Sequence, residues 1–117
     1  MKEVREWLLL LLRNNMKKIN EQEFKELFES GKTIVIDFYA DWCGPCRALG
    51  PIMEELETYF KDIVFCKVNV DEEENLALGF RVQSIPYVVM IKEGKMVANS
   101  LGLKSKDAII ELIEKNK

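Results

Sequence analysis

The order of the predicted elements along this 117-residue chain indicates an α/β fold, a three-layer sandwich around a central mixed sheet. Stretches rich in β-branched and aromatic residues alternate with stretches at helical spacing, which favours parallel strands joined by right-handed crossovers. The last two predicted strands are separated by Glu93-Gly94, which predicts an antiparallel hairpin. The length fits one domain, and a composition of 48% hydrophobic and 32% charged residues is typical of a folded chain.

The first predicted elements are a short strand and a capped helix. The strand is expected around Lys17–Ile19. Asn20, followed three residues later by Glu23, predicts a helix start in which each side chain caps a backbone amide of the other. Gly31 is expected to end that helix. The stripe predicted to be buried comprises Phe24, Leu27 and Phe28.

A central strand and the longest helix are predicted next. The nearly continuous apolar run from Thr33 to Ala40 is typical of a strand covered on both faces. Apolar residues recur at helical spacing from Cys43 to about Phe60, with a bend or a lost hydrogen bond expected at Pro51. The face of this helix predicted to be buried comprises Leu49, Ile52, Met53, Leu56 and Phe60.

The remaining chain is predicted to supply three strands and two helices. Ile63–Val70 predicts a strand, and the acidic run Asp71–Glu74 suits the positive end of a short helix that follows. Tyr87–Ile91 and Met96–Leu101 are expected to form the hairpin, and Asp107–Lys115 the last helix. The face of the last helix predicted to be buried comprises Ala108, Ile109, Leu112 and Ile113.

The charge balance and the residue types present exclude several classes of function. A net charge of −3 offers no extended positive field, so nucleic-acid binding is not expected. The lack of histidine removes Ser-His and Cys-His catalytic pairs and imidazole metal ligands. Three cysteines are fewer than the four ligands of a structural zinc site, which leaves open only a metal bridging two chains. Cys66 is interpreted as a small buried core residue.

Residues 1–15 are interpreted as a helical extension that precedes a domain spanning residues 16–117. The apolar run Trp7–Leu12 would be roughly 9 Å long as a helix against a hydrocarbon core of about 30 Å, so no transmembrane span is expected. The chain is interpreted as uncleaved and cytoplasmic. Three interpretations stay open: packing on the domain or across a homodimer, association with a membrane surface, or a natural start at Met16.

The segment Cys43-Gly44-Pro45-Cys46 lies where a predicted strand ends and a helix begins, as in thiol–disulfide redox motifs. The free amides and positive dipole end of the helix are expected to lower the pKa of Cys43 from about 8.5 toward the 3.5–7.5 range. Cys46 lies one turn further along, close enough to attack a mixed disulfide formed at Cys43. Gly44 and Pro45 form the short turn between the two thiols.

Asp37 is a carboxylate inside an otherwise apolar strand, a costly position because burial disfavours its charged form. We expect it to lie beneath the cysteine pair and to take a proton from Cys46, directly or through water. Lys67, in the neighbouring predicted strand, is the expected compensating charge. The alternative is a purely structural Asp37–Lys67 pair.

The run Val35–Arg47 (VIDFYADWCGPCR) resembles the active-site segment of the thioredoxin family. Ile85-Pro86 before the fourth predicted strand, and Gly94 and Gly102 in the terminal hairpin, match the family in order and spacing. The resemblance covers nearly the whole chain after the extension. It implies the thioredoxin fold and a general protein-disulfide reductase, which binds no cofactor and is recharged by a flavin-containing thioredoxin reductase that uses NADPH.

The resemblance also implies roles for individual residues. Cys43 is the implied nucleophile, Cys46 the resolving thiol and Asp37 the buried proton acceptor. Pro45 between the cysteines is the family's reducing variant. A cis peptide bond is implied before Pro86. The implied groove for client proteins around the nucleophile comprises Trp42, Ile85, Leu101 and Gly102.

The chain departs from the family pattern at three positions near this site. Tyr39 replaces a frequent Trp, Arg47 a frequent Lys and Ser84 a frequent Gly. We expect these changes to alter the shape or electrostatics of the groove but not the chemistry. A binding module that uses the groove without turnover is the alternative function, and the intact pair Cys43 and Cys46 argues against it.

Overall fold

The computed structural model describes residues 16–117, and the interpretations of residues 1–15 lie outside this range. Within it, five strands and four helices follow the predicted alternation. In chain order they are β1 (Lys17–Lys18), α1 (Glu21–Glu29), β2 (Ile34–Tyr39), α2 (Gly44–Tyr59), β3 (Val64–Asn69), α3 (Glu74–Gly79), β4 (Tyr87–Lys92), β5 (Lys95–Leu101) and α4 (Lys106–Asn116). None of the four helices is long and apolar enough to cross a membrane.

The five strands form one mixed sheet in the order β1-β3-β2-β4-β5. Strands β1 and β2 both pair with β3 in parallel, whereas β4 is antiparallel to β2 and to β5. The β4–β5 turn has positive φ at both Glu93 (53°) and Gly94 (74°), as a two-residue type I′ hairpin requires. The predicted mixed sheet is confirmed, with β2 at its centre.

Each face of the sheet is covered by two helices, which confirms the three-layer architecture. On one face, Leu49 and Met53 of α2 and Ile109 of α4 pack in one core with residues of β2, β3 and β4. On the other face, Leu76 of α3 and Phe24 of α1 pack in a second core. Strand β2 contributes to both cores, so its apolar residues are buried on either side.

Several local predictions differ from the structure. Phe28 remains 40% exposed because its ring lies beside the Gly94 turn at the end of the sandwich instead of over the sheet. Ala108 is exposed, since Ile109 and Ile113 form the centre of the α4 contact. At Pro51 the second of the two predicted outcomes holds, because helix α2 continues through this residue and its missing amide hydrogen leaves one intrahelical bond unmade.

Candidate active site at the start of helix α2

The Cys43–Cys46 pair lies at the junction of β2 and α2. Cys43 has an extended backbone and is the N-cap of the helix, one residue earlier than the first-turn position predicted from the sequence. Its Sγ accepts a hydrogen bond from the backbone amide of Cys46 at 3.2 Å. The two cysteines form a disulfide with their Cα atoms 5.2 Å apart. Gly44 and Pro45 occupy the first two helical positions, where the amide hydrogen that proline lacks has no intrahelical acceptor.

The helix start surrounds the Cys43 sulfur with positive partial charge. The first amides of an α-helix have no acceptor within the helix, and the aligned peptide dipoles place a partial positive charge at this end. Both cysteine side chains are nearly buried, at 5% exposure for Cys43 and 4% for Cys46. A thiolate at Cys43 is therefore stabilised by the amides of α2 while it is largely shielded from bulk water.

Asp37 lies in the middle of β2 and is 2% exposed. Its Oδ1 has no hydrogen-bond partner among residues 16–117. Burial raises the pKa of this carboxyl from 3.8 to about 7, and the positive charge of Lys67 opposes that rise. The side chain therefore exchanges a proton in the neutral pH range, which an exposed aspartate does not do.

A cavity of about 190 Å³ lies between the buried carboxyl of Asp37 and Cys46. Asp37 and Cys46 both line it, and the exposed Arg47 lies at its rim. The cavity is large enough to hold water, which can carry a proton between the two side chains. The remaining lining residues are Met16, Tyr39, Ala40, Asp41, Gly50, Glu54 and Lys67.

Lys67 lies directly opposite Asp37 in the parallel β2–β3 register. The two side chains form no direct ion pair among the salt bridges of residues 16–117. The Lys67 Nζ instead lies over the ring of Tyr39, 5.4 Å from the ring centroid. The positive charge of Lys67 lowers the pKa of Asp37 by Coulomb attraction, without a hydrogen bond to the Asp37 Oδ1.

An exposed apolar surface surrounds the disulfide. The Ile85–Pro86 peptide bond is cis, and the carbonyl oxygen of Ile85 lies 3.9 Å from the Cys43 Sγ. The amide of Gly102 donates a 2.8 Å hydrogen bond to the carbonyl of Pro86, so the end of β5 is fixed beside this bond. Leu101 is 55% exposed and extends the surface along β5.

Trp42 is held on the other side of the disulfide by Asp71, a contact that the sequence analysis missed. The indole of Trp42 is 69% exposed, and its Nε1 donates a 2.8 Å hydrogen bond to Asp71 Oδ2. The buried Asn69 in turn accepts the amide of Asp71 through its side-chain oxygen. The acidic run of residues 71–74 was interpreted only as a helix start, and no spacing pattern connects Asp71 with a residue 29 positions earlier.

Two further side chains of the cavity were not predicted from the sequence. Met16 is buried and packs in the core on the α2 side, and Glu54 projects from α2 into the cavity. Neither residue stands within a motif, so only the tertiary packing reveals them. Cys66 lies in β3, is 1% exposed and is not bonded to another cysteine. Its interpretation as a core residue is confirmed.

No group of three or more histidine, cysteine, aspartate or glutamate side chains is arranged to hold a metal ion within residues 16–117. What the site contains is a pair of cysteines joined as a disulfide, with a titratable carboxyl on the same cavity. Such a pair can accept or deliver two electrons by thiol–disulfide exchange.

Comparisons with known proteins agree with this chemistry. The sequence model of the thioredoxin family matches residues 15–115. The thioredoxin of Mycoplasmoides gallisepticum is 41% identical over 95 residues, which cover 81% of this chain and 95% of that protein. The thioredoxin of Chlamydia trachomatis is 39% identical over 98 residues, or 84% of this chain and 95% of that protein.

Solved structures show the same likeness. The X-ray structure of Fasciola hepatica thioredoxin has a TM-score of 0.81 at 34% identity, covering 87% of this chain and all of that one (100%). The Plasmodium falciparum thioredoxin also has a TM-score of 0.81, at 32% identity with the same coverage of 87% and 100%. The chain therefore belongs to the thioredoxin family of thiol–disulfide oxidoreductases.

Proposed function

We propose that the protein is a general reductant of protein disulfides in which Cys43 is the nucleophile and Cys46 the resolving thiol. The observation that carries the proposal is the position of the Cys43 sulfur at the N-cap of α2, disulfide-bonded to a cysteine one turn into the helix. The helix amides favour a thiolate at Cys43, so we expect its pKa below the ordinary value of about 8.5. Cys46 lies within the first turn of α2 and is bonded to Cys43, so it is in position for the second step.

The reaction begins with the reduced protein and a client disulfide. The Cys43 thiolate attacks one client sulfur, a mixed disulfide forms, and the client S–S bond breaks to release the first client thiolate. The Cys46 thiol then loses its proton and attacks the Cys43 sulfur. The mixed disulfide breaks, the second client thiolate leaves, and the Cys43–Cys46 disulfide forms. The client gains two electrons, and the protein loses two.

Asp37 is the proposed acceptor of the Cys46 proton. It shares the cavity with Cys46, has a free oxygen and has a pKa of about 7, so its carboxylate is available near neutral pH. The raised pKa makes it a stronger base than an exposed aspartate. Lys67 supplies the positive charge that keeps part of the population ionised despite burial.

The exposed apolar surface beside the disulfide is the proposed binding groove for clients. Trp42 and Leu101 present exposed side chains on it, and the carbonyl of Ile85 lies next to the Cys43 sulfur. An extended client segment can align along the backbone between Pro86 and Gly102. Gly44 and Pro45, which add no charge between the cysteines, are the proposed determinants of a reducing rather than oxidising function.

Re-reduction by a thioredoxin reductase in the cytoplasm is the proposed source of electrons. Three cysteines leave one redox pair and no disulfide framework, which suits a compartment that keeps thiols reduced. We also propose that the domain begins at residue 16, because Met16 already packs in the core on the α2 side. Association through residues 1–15 stays a prediction, tested by sedimentation of the full chain and of a chain that starts at Met16.

Insulin reduction in the presence of dithiothreitol tests the reaction. The wild-type protein should accelerate insulin precipitation, and Cys43→Ser should reduce the rate to that of dithiothreitol alone, because no thiolate remains at the helix start. Cys66→Ala is the matched control, since it removes a thiol that lies away from the cavity. Cys46→Ser should accumulate mixed disulfides with clients. A wild type no faster than Cys43→Ser contradicts the proposal.

A further inference from the structure

The ring of Tyr39 lies next to the ammonium group of Lys67, the residue opposite Asp37 on the neighbouring strand. Tyr39 and Asp37 are two residues apart on β2 and therefore share one face of the sheet, and Lys67 is opposite Asp37 on β3. The Lys67 Nζ lies 5.4 Å from the centroid of the Tyr39 ring, within cation–π range. All three side chains line the cavity that Cys46 also lines.

We propose that Tyr39 is a positioning residue whose ring holds the Lys67 ammonium at the cavity, where that charge favours the ionised form of Asp37. This inference rests on the proposed function of Asp37 as the acceptor of the Cys46 proton. Tyr39 acts through Lys67. The proposal thereby gives a specific role to a position at which this chain has tyrosine where the family most often has tryptophan.

The contacts of Lys67 explain why a ring is needed. Lys67 is half-buried and forms no direct ion pair within residues 16–117, so no carboxylate fixes its ammonium. A lysine side chain has many rotamers, and water competes for its charged end. The aromatic face selects the rotamers in which the ammonium stays over the ring, at the cavity that Asp37 also lines.

Other charges around Asp37 do not depend on the Tyr39 ring. Helix α2 contributes Arg47, Glu54 and the Cys46 sulfur to the cavity, and Asp41 follows the end of β2. On β3, the buried Cys66 is neutral because burial raises its pKa to about 12. On the opposite side of β2, strand β4 places the uncharged Val88 beside Asp37. On β1, Lys18 is paired with Glu72.

The test is a titration of the Asp37 carboxyl by ¹³C NMR in the oxidised protein. Tyr39→Leu should move the midpoint to higher pH, by at most about 0.7 pH units, because the ring cannot bias the position of the ammonium by more than the energy of the cation–π contact. If the ring only filled space, its removal would admit water and move the midpoint to lower pH. A fall in Tyr39→Leu therefore overturns the proposal.

Two ring-preserving variants keep the test valid if Tyr39→Leu folds poorly. Tyr39→Phe and Tyr39→Trp retain the aromatic face, and each should have an Asp37 midpoint no more than about 0.2 pH units above that of the wild type. The midpoint of Tyr39→Trp should be the lower of the two, because tryptophan binds cations most strongly. Burial raises the pKa of the Tyr39 hydroxyl, so the phenol stays neutral throughout the titration. A Tyr39→Phe midpoint as high as that expected for Tyr39→Leu would show that the hydroxyl, not the ring, is responsible.

A second background isolates the contribution of Lys67. In Lys67→Met, Tyr39→Leu should no longer raise the Asp37 midpoint, because the ring has no ammonium left to hold. The same rise in both backgrounds overturns the proposal. The titration uses no client and no turnover, so its failure would leave the Cys43→Ser result, and with it the proposed reductase function, unchanged.

Discussion

The start of α2 and the middle of β3 both bury cysteine sulfur, yet the groups around the sulfur favour opposite protonation states. Cys43 and Cys46 are 5% and 4% exposed, and Cys66 is 1% exposed. Around Cys43 the backbone presents free helix amides, one of which donates to its sulfur. The Cys66 sulfur instead lies 3.8 Å from the carbonyl of Val35. Burial alone therefore does not decide whether a thiol is reactive.

The electrostatic difference between the two regions follows from these contacts. Amide hydrogens carry partial positive charge and stabilise a thiolate, whereas a carbonyl oxygen accepts the hydrogen of a neutral thiol. In β3, burial and the nearby carboxylates of Glu57 and Asp37 raise the pKa of Cys66 to about 12. The same fold thus keeps one thiol neutral and places another beside amides that favour a thiolate.

Alkylation of the reduced protein should give the largest contrast between the two regions. At pH 7 a thiol with a pKa of about 12 is ionised to about one part in 10⁵, so Cys43 should react with iodoacetamide at least about 10³ times faster than Cys66. Peptide mass spectrometry after timed quenching measures both rates. Unfolded protein, in which all three thiols should react alike, is the control. Comparable rates in the folded protein would refute the contrast.

The buried carboxyl below the disulfide should make stability depend on pH. The folded-state pKa of Asp37 is about 7 against 3.8 for the free side chain, so the folded protein binds this proton more tightly. The free energy of unfolding should therefore fall as pH rises from about 4 to about 7, by at most about 4 kcal/mol. Urea unfolding of the oxidised protein at pH 4 and pH 8 measures the fall.

Asp37→Asn should remove most of that pH dependence and raise the free energy of unfolding at pH 8. Asp62→Asn is the matched control, because Asp62 is exposed in the turn before β3. Its substitution should leave the pH dependence of the wild type in place. An equal fall in the wild type and in Asp37→Asn would assign the pH dependence to another group.

The sequence predicted the chemistry of the site better than its surroundings. A cysteine pair at a strand–helix junction and a lone aspartate in an apolar strand are local patterns, and both were recognised. The N-cap position of Cys43 differs by one residue because its extended backbone is set by the tertiary course of the β2–α2 turn. The cavity was not predictable, since Met16 lies outside every recognised motif and Glu54 reaches the cavity from a later turn of α2.

The same reasoning explains the errors in the buried faces. Helical spacing identifies a stripe but not where the sheet beneath it ends, so Phe28 and Ala108 were predicted to be buried and are exposed. Met96 is 49% exposed because its strand, β5, lies at the edge of the sheet. Side chains at the margin of a layer depend on the neighbouring elements, which a single amphipathic pattern does not describe.

The hydrogen bond between Trp42 and Asp71 should give the smallest effect, because both partners are exposed. Asp71→Ala frees the indole that borders Cys43 and should lower kcat/KM for insulin reduction by about two- to threefold, a fraction of a typical hydrogen bond. Asp71→Asn retains a side-chain oxygen as acceptor and should restore most of the rate. Glu74→Ala, which removes another carboxylate of the acidic run, is the control. If Asp71→Ala and Glu74→Ala lower kcat/KM equally, the effect comes from the loss of negative surface charge. In that case the rate at Cys43 does not depend on the hydrogen bond that holds the Trp42 indole.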